Sequence, residues 1–338
     1  MLTVIFGAGA SHGSAPPDGT PAGATPPPLT SELVSSAYGD VASQFPASKP
    51  AILRLQRALR DRPGALIEAE MSALVNESDT RPEVGRHLVA LRYYLSEVIE
   101  REAGAWWKAL NGFTAYGELL DRLGVWRSTT GEPIALATFN YDVLLDESAV
   151  AQAGDWQLDT FESYIRRSDW RLYKLHGSTN WSRIASMPFP GGENDTANVI
   201  ASLSDHAIED GRLELQRWRE GAPDSLFEAA APGIAVPTDL KRTFCCPQSH
   251  VEALGRDLRE TDRLLIVGWR ASEPHALELL RQMPIRQIAV CDFGAAGAHP
   301  VAAALGTAGV SGMFWAPLEF HGFTDMLNSD WLEKWLAS

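Results

Sequence analysis

The chain opens on a short β-branched apolar run, Leu2 to Phe6, that meets Gly7 at once. A run that short, stopped by glycine, predicts a buried strand ending in a tight turn. Six prolines then crowd between Pro16 and Pro28. Proline fixes φ and lacks an N–H, so this stretch predicts a loop. Thr30, with Leu33 and Val34 behind it, predicts a helix cap and a first helical turn. From about 50 to 124 the period changes. Val84, Leu88, Leu91, Leu95, Val98 and Ile99 follow three/four spacing and share one face of a helix. Continuous apolar runs return at Pro133–Phe139, Leu172–Leu175, Leu264–Gly268 and Ile288–Cys291. Strands without polar alternation are covered on both faces, as in parallel sheets. Helical stretches at 249–260 and 274–283 lie among the later runs.

The expected fold class is therefore α/β: a Rossmann-like, mostly parallel sheet with a helical insertion. Residues 1–35 and 125–338 are expected to form the Rossmann-like domain and 36–124 the helical insertion. Residues 185–245 carry Gly191-Gly192, acidic residues and prolines, and are expected to be an irregular excursion, a lid or a partner surface. No internal repeat is found.

Composition narrows the function classes. A chain of 338 residues is ample for a large core. Its net charge of -14 argues against gripping a phosphate backbone over the whole surface, so direct nucleic-acid binding is not expected. A local pocket for one phosphorylated ligand is still compatible with it. Three cysteines with no C-x-x-C pair predict neither a disulfide scaffold nor a structural zinc site, and they suit a reducing compartment. The remaining histidines show no paired metal spacing, so no metal is expected. No apolar run approaches the ~18 residues of a membrane span. The opening residues lack a basic, then apolar, leader. The expected location is cytoplasmic.

Candidate chemistry gathers where the predicted strands end. Gly7-Ala8-Gly9-Ala10-Ser11 follows the first strand. Its glycines allow a tight turn and close backbone approach to a diphosphate, or they serve the turn alone. The dinucleotide fingerprint is incomplete, because His12 stands where the third glycine belongs. Gly9 to Gly13 also spells G-x-S-x-G. Only one short strand precedes it and prolines follow, so Ser11 reads as a phosphate or ribose hydrogen-bond donor and not as a nucleophile. Thr138, Asn140 and Asp142 stand at the carboxyl end of the second strand, the edge at which open α/β sheets bind ligands. Asp142 can equally cap the helix that follows, and Asn140 can serve a turn. His176, before Gly177 and Ser178, is either a general base near neutral pH or a half-buried histidine bonded to backbone. Gly268 ends a later strand. Ser272 then reads as a cap for a helix opened by Pro274, or faces a phosphate or ribose. Asp292, ending the last strand, accepts from ribose or adenine, or merely caps.

Taken in order, these segments resemble the sirtuin-like superfamily. Gly7-Ala8-Gly9-Ala10-Ser11 is similar to its G-A-G-x-S loop. Thr138-Phe139-Asn140-Tyr141-Asp142 is similar to its T-x-N-x-D, and Lys174-Leu175-His176-Gly177-Ser178 to its K-L-H-G-S. Gly268-Trp269-Arg270-Ala271-Ser272 resembles the later G-x-S segment with one extra residue. The resemblance spans residues 1–16 and about 130–295. Two departures matter. The four-cysteine zinc module has no counterpart, and Gly13-Ser14-Ala15-Pro16-Pro17-Asp18 stands in place of G-I-P-D-F-R. Both point away from protein deacylation and toward the bacterial sirtuin-like branch of anti-phage defence.

That resemblance implies an NAD+ glycohydrolase releasing nicotinamide and ADP-ribose, with NAD as substrate and no metal. It implies Asn140 and His176 as the catalytic pair, with Asp142 orienting them or capping its helix. Gly7, Ala8, Gly9, Ala10, Ser11, Thr138, Gly177, Ser178, Gly268, Ser272 and Asp292 are implied as NAD contacts. It also implies gating by a homo-oligomer or by a defence partner, a DNA-translocating ATPase or an Argonaute. The rival readings are an NAD-dependent deacylase and a non-catalytic NAD or ADP-ribose sensor. The chemistry is compatible with hydrolysis: cationic nicotinamide departs neutral, so its departure needs no general acid, and positive charge builds at the ribose carbon as in other glycosyl transfers.

Overall fold

The computed structural model describes all residues except 63–66, 189–195, 222, 224, 237–243, 282 and 316–319. Its described strands are β1 (Leu2–Phe6), β2 (Ile134–Thr138), β3 (Trp170–Lys174), β4 (Gly177–Ser186), β5 (Arg212–Glu214), β6 (Glu228–Ile234), β7 (Arg263–Val267), β8 (Gln287–Cys291) and β9 (Met313–Phe314). The chain divides into two compact units. The first holds Met1–Pro27, Glu102–Leu175 and Arg242–Ser338, and the second holds Pro28–Arg101 and His176–Lys241.

The first unit is built on a six-stranded sheet in the order β3-β2-β1-β7-β8-β9, with every pairing parallel. The α/β, Rossmann-like class read from the apolar runs is thus observed. Alternation within each strand sends residues to opposite faces. On one face Ile5, Ala135, Ala137, Tyr173, Leu264, Ile266, Ile288 and Val290 pack in a common core. The helices Gln248–Glu260, Pro274–Arg281 and Gly294–Thr307 cover it through Leu254, Leu258, Leu280, Val301 and Leu305. The strand order reverses direction between β1 and β7, the kind of point where such sheets open a crevice. Register brings the strand ends level: Phe6 is matched with Thr138 and Val267, Thr138 with Lys174, and Val267 with Cys291. The loops that follow these residues all leave from one edge.

The same core holds a buried histidine. His250 lies among the rings of Phe161, Tyr164 and Tyr173, and its Nε2 is 2.8 Å from the Phe161 carbonyl. Burial holds its pKa below the ordinary 6.5. A lowered folded-state value means stability present above pH 6.5 and lost as pH falls through it. We expect His250→Gln, which keeps a donor for that carbonyl but does not titrate, to lose less melting temperature than the wild type between pH 7.5 and 5.5. Equal losses in thermal melts would show that His250 does not govern the acid limb.

In the second unit, helices Lys49–Asp61 and Ile67–Ser78 and the first part of Pro82–Ala109 follow the expected three/four pattern. Residues 31–34 form turns and not the helix expected after Thr30. The Glu32 carboxylate accepts the Leu29 N–H, and successive three-residue bonds from Glu32 and Ser35 close turns instead. A three-stranded antiparallel sheet, β5-β4-β6, completes the unit. Its strands β5 and β6 fall inside 185–245, which the sequence pattern reads as irregular. The sequence of β6, EAAAPGI, has no β-branched alternation to announce a strand. Its Pro232 is tolerated because β6 lies at a sheet edge.

Candidate functional site

The glycine loop is shaped by another loop. The N–H groups of Gly7 and Gly9 donate to the carbonyls of Val267 and Gly268, and the Ala10 N–H donates back to Gly7. A Cβ on Gly7 would lie 2.5 Å from the Gly268 oxygen, and one on Gly9 would lie 2.9 Å from the Gly268 Cα. Gly268 itself has φ +60, and a Cβ there would lie 2.2 Å from the Ala10 nitrogen. These glycines therefore let the turns after β1 and β7 pack backbone to backbone. Three N–H groups of the loop are thus taken up within the protein. Among the described residues, the Ala8 N–H is left without a hydrogen bond inside the chain.

Ser11 and the segment after β2 meet at this turn. Ser11 is 3% exposed, Asn140 7% and Asp142 7%. The Asn140 Nδ2 donates to the Gly7 carbonyl at 2.8 Å and to Ser11 Oγ at 2.9 Å. A carbonyl only accepts, so the contact with Gly7 fixes which end of the amide is nitrogen. The Asn140 N–H donates to Thr138 Oγ1 at 3.0 Å. Ser11 Oγ donates to Asp142 Oδ2 at 2.7 Å, and Asp142 Oδ1 accepts the Leu144 N–H at 3.1 Å. Asp142 thus serves the start of the helix Leu144–Gln152 with one oxygen and Ser11 with the other. With the Nδ2 hydrogens engaged by Gly7, Ser11 and Tyr116, what the Asn140 amide has left is an acceptor, Oδ1. No hydrogen bond reaches that oxygen among the described residues.

Two contributors were not singled out as site residues from the sequence. Lys174, fully buried, donates from Nζ to the Asp142 carbonyl at 2.6 Å and pairs with Asp146 Oδ2 at 2.7 Å. Tyr164 donates to the other Asp146 oxygen at 3.0 Å. A lysine ending an otherwise buried strand was the available signal, because such a charge needs a partner. Tyr116, from the helix Ala115–Thr130, brings its hydroxyl to 2.9 Å from Ser11 Oγ. Nothing in its local sequence marks it.

Burial holds the Asp142 carboxyl above its ordinary value, against the nearby Lys174 charge and the bonds from Ser11 and Leu144. A raised folded-state pKa means stability present below the unfolded value and lost as pH rises through the folded one. We therefore expect Asp142→Asn to gain melting temperature relative to the wild type as pH rises from 4 to 8. A gap that stays constant or shrinks over that range in paired melts would refute this.

The other predicted site residues are placed as follows. Gly268 joins the cluster through its backbone. Ser272 is exposed, and its hydroxyl donates to Glu273 Oε2 at 3.2 Å. It stands two residues before the helix Pro274–Arg281, where Glu273 accepts the first backbone bonds, so Ser272 is not the cap the sequence suggested. Asp292 Oδ1 accepts the Phe293 N–H at 2.7 Å, ahead of the helix Gly294–Thr307. Neither Ser272 nor Asp292 is hydrogen-bonded to the Ser11 cluster. His176, Gly177 and Ser178 belong to the second unit. His176 is buried in the two-residue turn between β3 and β4, and its carbonyl accepts the Ala235 N–H. Gly177 has φ +82, and a Cβ there would lie 2.0 Å from the Gly233 oxygen. A cavity of about 330 Å³ in the first unit lies elsewhere, lined by Leu120, Val125, Ala149, Trp156 and Trp170. Trp170 opens β3, so this cavity is at the amino-terminal end of the strand. No cluster of three or more potential metal ligands occurs among the described residues, and no described helix is long and apolar enough to cross a membrane.

Comparison with known proteins leaves the family open. No family profile and no curated protein matches the chain. Among solved structures, one described as "The Structural basis of Sirtuin Substrate Affinity" aligns with 87% of this chain and 83% of its own, at 11% identity and a TM-score of 0.37. A likeness that distant says nothing of residues or activity.

Proposed function

We propose that the protein hydrolyses NAD+ to nicotinamide and ADP-ribose. The observation that carries this reading is the Asn140 amide. It is anchored inward on Gly7 and Ser11, and it presents Oδ1 at the carboxyl edge of a parallel sheet whose order reverses at β1 and β7. The ordered resemblance of four segments to sirtuin-like motifs supports it further.

The reaction breaks the bond between the ribose C1′ and the nicotinamide nitrogen, and the ring leaves neutral. Water supplies the oxygen that bonds to C1′. Asn140 Oδ1 accepts a hydrogen bond from that water or from a ribose hydroxyl, holding its donor in line. His176 is the base that the resemblance implies for the water proton. Asp142 keeps Ser11, and through it Asn140, in place. Within the glycine loop, Ala8 has the N–H left for an anionic oxygen, while Gly7 and Gly9 shape the turn. The NADase role in anti-phage defence, and restraint by self-assembly or by a partner of the ATPase or Argonaute kind, are part of the same proposal. They rest on the resemblance.

The test is mass spectrometry of NAD+ incubated with purified protein, alone and with any co-purifying partner. Equimolar nicotinamide and ADP-ribose are expected. Nicotinamide release that depends strictly on an acyl-peptide would make the protein a deacylase. Tight NAD+ binding without turnover in every assembly state would make it a sensor.

A further inference from the structure

Hydrogen counting in the Ser11 cluster leads to a residue outside every motif. Ser11 has one hydroxyl hydrogen, and it donates it to Asp142 Oδ2 at 2.7 Å. Ser11 Oγ must then accept from its other neighbours, the Asn140 Nδ2 at 2.9 Å and the Tyr116 hydroxyl at 2.9 Å. The Tyr116 oxygen also lies 3.3 Å from Asn140 Nδ2, again as acceptor. The bonds therefore run one way, from Tyr116 to Ser11 to Asp142, and each polarises the next. Burial and the Asp142 charge hold the Tyr116 phenol well above its ordinary pKa, so it keeps its hydrogen at working pH.

The tyrosine is itself held on every side. Its ring meets Phe6 edge-on at 5.3 Å and Phe323 at 5.4 Å. Its helix starts at Thr114, whose Oγ1 accepts the Gly117 N–H at 3.2 Å and sits 2.9 Å from Ser148 Oγ. The neighbouring Ala115 N–H donates to the Ser14 carbonyl at 2.9 Å, three residues from Ser11.

We infer that Tyr116 is a positioning residue: through Ser11 it fixes the rotamer of Asn140 and so the acceptor oxygen that Asn140 presents. Its functional consequence rests on the NAD+ hydrolysis reading above. The positioning itself does not.

The experiment compares the wild type with Tyr116→Phe, which keeps the ring contacts and removes only the hydroxyl. Uniform nitrogen-15 labelling gives the exchange rate of the Asn140 side-chain amide hydrogens by NMR, with the backbone amides of β1 as the internal reference. We expect Asn140 exchange roughly tenfold faster in the variant and the β1 amides unchanged. In the hydrolysis assay kcat should fall ~10- to 100-fold, the range for groups that hold another in place. KM should stay within about threefold. In a Ser11→Ala background Tyr116→Phe should cost less than it does in the wild type, because only the longer, 3.3 Å contact with Asn140 is then left to lose. Unchanged Asn140 exchange overturns the inference. So does full kcat in the variant, or effects of the two substitutions that multiply. A wild type that releases no nicotinamide defeats the hydrolysis reading, and the exchange comparison still decides the positioning.

Discussion

Asn140→Ala is expected to lower nicotinamide release ~100- to 1000-fold, the loss typical of removing one preorganised polar group from a reacting centre. The fold should survive, because the Gly7 carbonyl keeps the Ala10 N–H and Ser11 Oγ keeps the Tyr116 hydroxyl, so each loses one donor of two, at about 1 kcal/mol apiece. Asn140→Asp separates the two roles of the amide. The substituted side chain has the same shape and still offers an acceptor outward. Inward, however, it sets a carboxylate oxygen against the Gly7 carbonyl, 2.8 Å from the present nitrogen, and beside Asp142. Like dipoles and like charges then face each other in a buried place. We expect Asn140→Asp to be as inactive as Asn140→Ala and less stable than it at pH 7.5. The gap should narrow in acid as the introduced carboxylate protonates. Melting temperatures and a nicotinamide assay on the three proteins check this. If the isosteric variant melts at or above Asn140→Ala at pH 7.5, the inward donor role is refuted. His176→Ala should abolish turnover as well, and full activity in both Asn140→Ala and His176→Ala would remove the pair from the mechanism.

Gly268→Ala should give the largest loss of stability of any single methyl addition at this turn. The added carbon would meet the Ala10 nitrogen at 2.2 Å and the Gly9 carbonyl carbon at 2.4 Å, and both are backbone atoms with no rotamer to retreat into. The φ of +60 adds a conformational penalty. Together these should exceed ~3 kcal/mol. Gly104→Ala is the control. It lies in the helix Pro82–Ala109 with nothing within 4 Å of the added carbon. It should stabilise by ~0.5–1 kcal/mol, as alanine does in a helix interior. Chemical denaturation of both variants measures the contrast. A Gly268→Ala protein as stable as the wild type would mean that the turns after β1 and β7 do not touch as described.

The apolar runs announced β2, β3, β7 and β8 within a residue or two, because strands buried on both faces carry an unbroken signal. Strand β6 stayed hidden, since alanine, glycine and proline give no such signal. At the candidate site, Ser11, Asn140 and Asp142 were legible because each stands just past a strand, at the edge where polar groups are otherwise unneeded. Tyr116 was not, since its contact with Ser11 depends on how a distant helix packs, and spacing along the chain carries no record of that. The glycines were legible as special but not in their reason. The sequence leaves open a ligand against Gly7 and Gly9 or a turn alone, and the structure presses Gly268 there. Ser272 misled because Ser followed by Glu-Pro can cap in either of two registers.

The matching of Leu2 with both Ile134 and Arg263 governs how this protein emerges from the ribosome. β1 lies inside the finished sheet, between β2 and β7, and β7 is translated long after it. Until then Leu2 to Phe6 keeps an unpaired edge, which can recruit another chain. Closure of the sheet is accordingly a late, long-range event, slow relative to local helix formation. High-level expression should therefore gain more from a slower synthesis rate or added chaperone capacity than from any change to the mature surface.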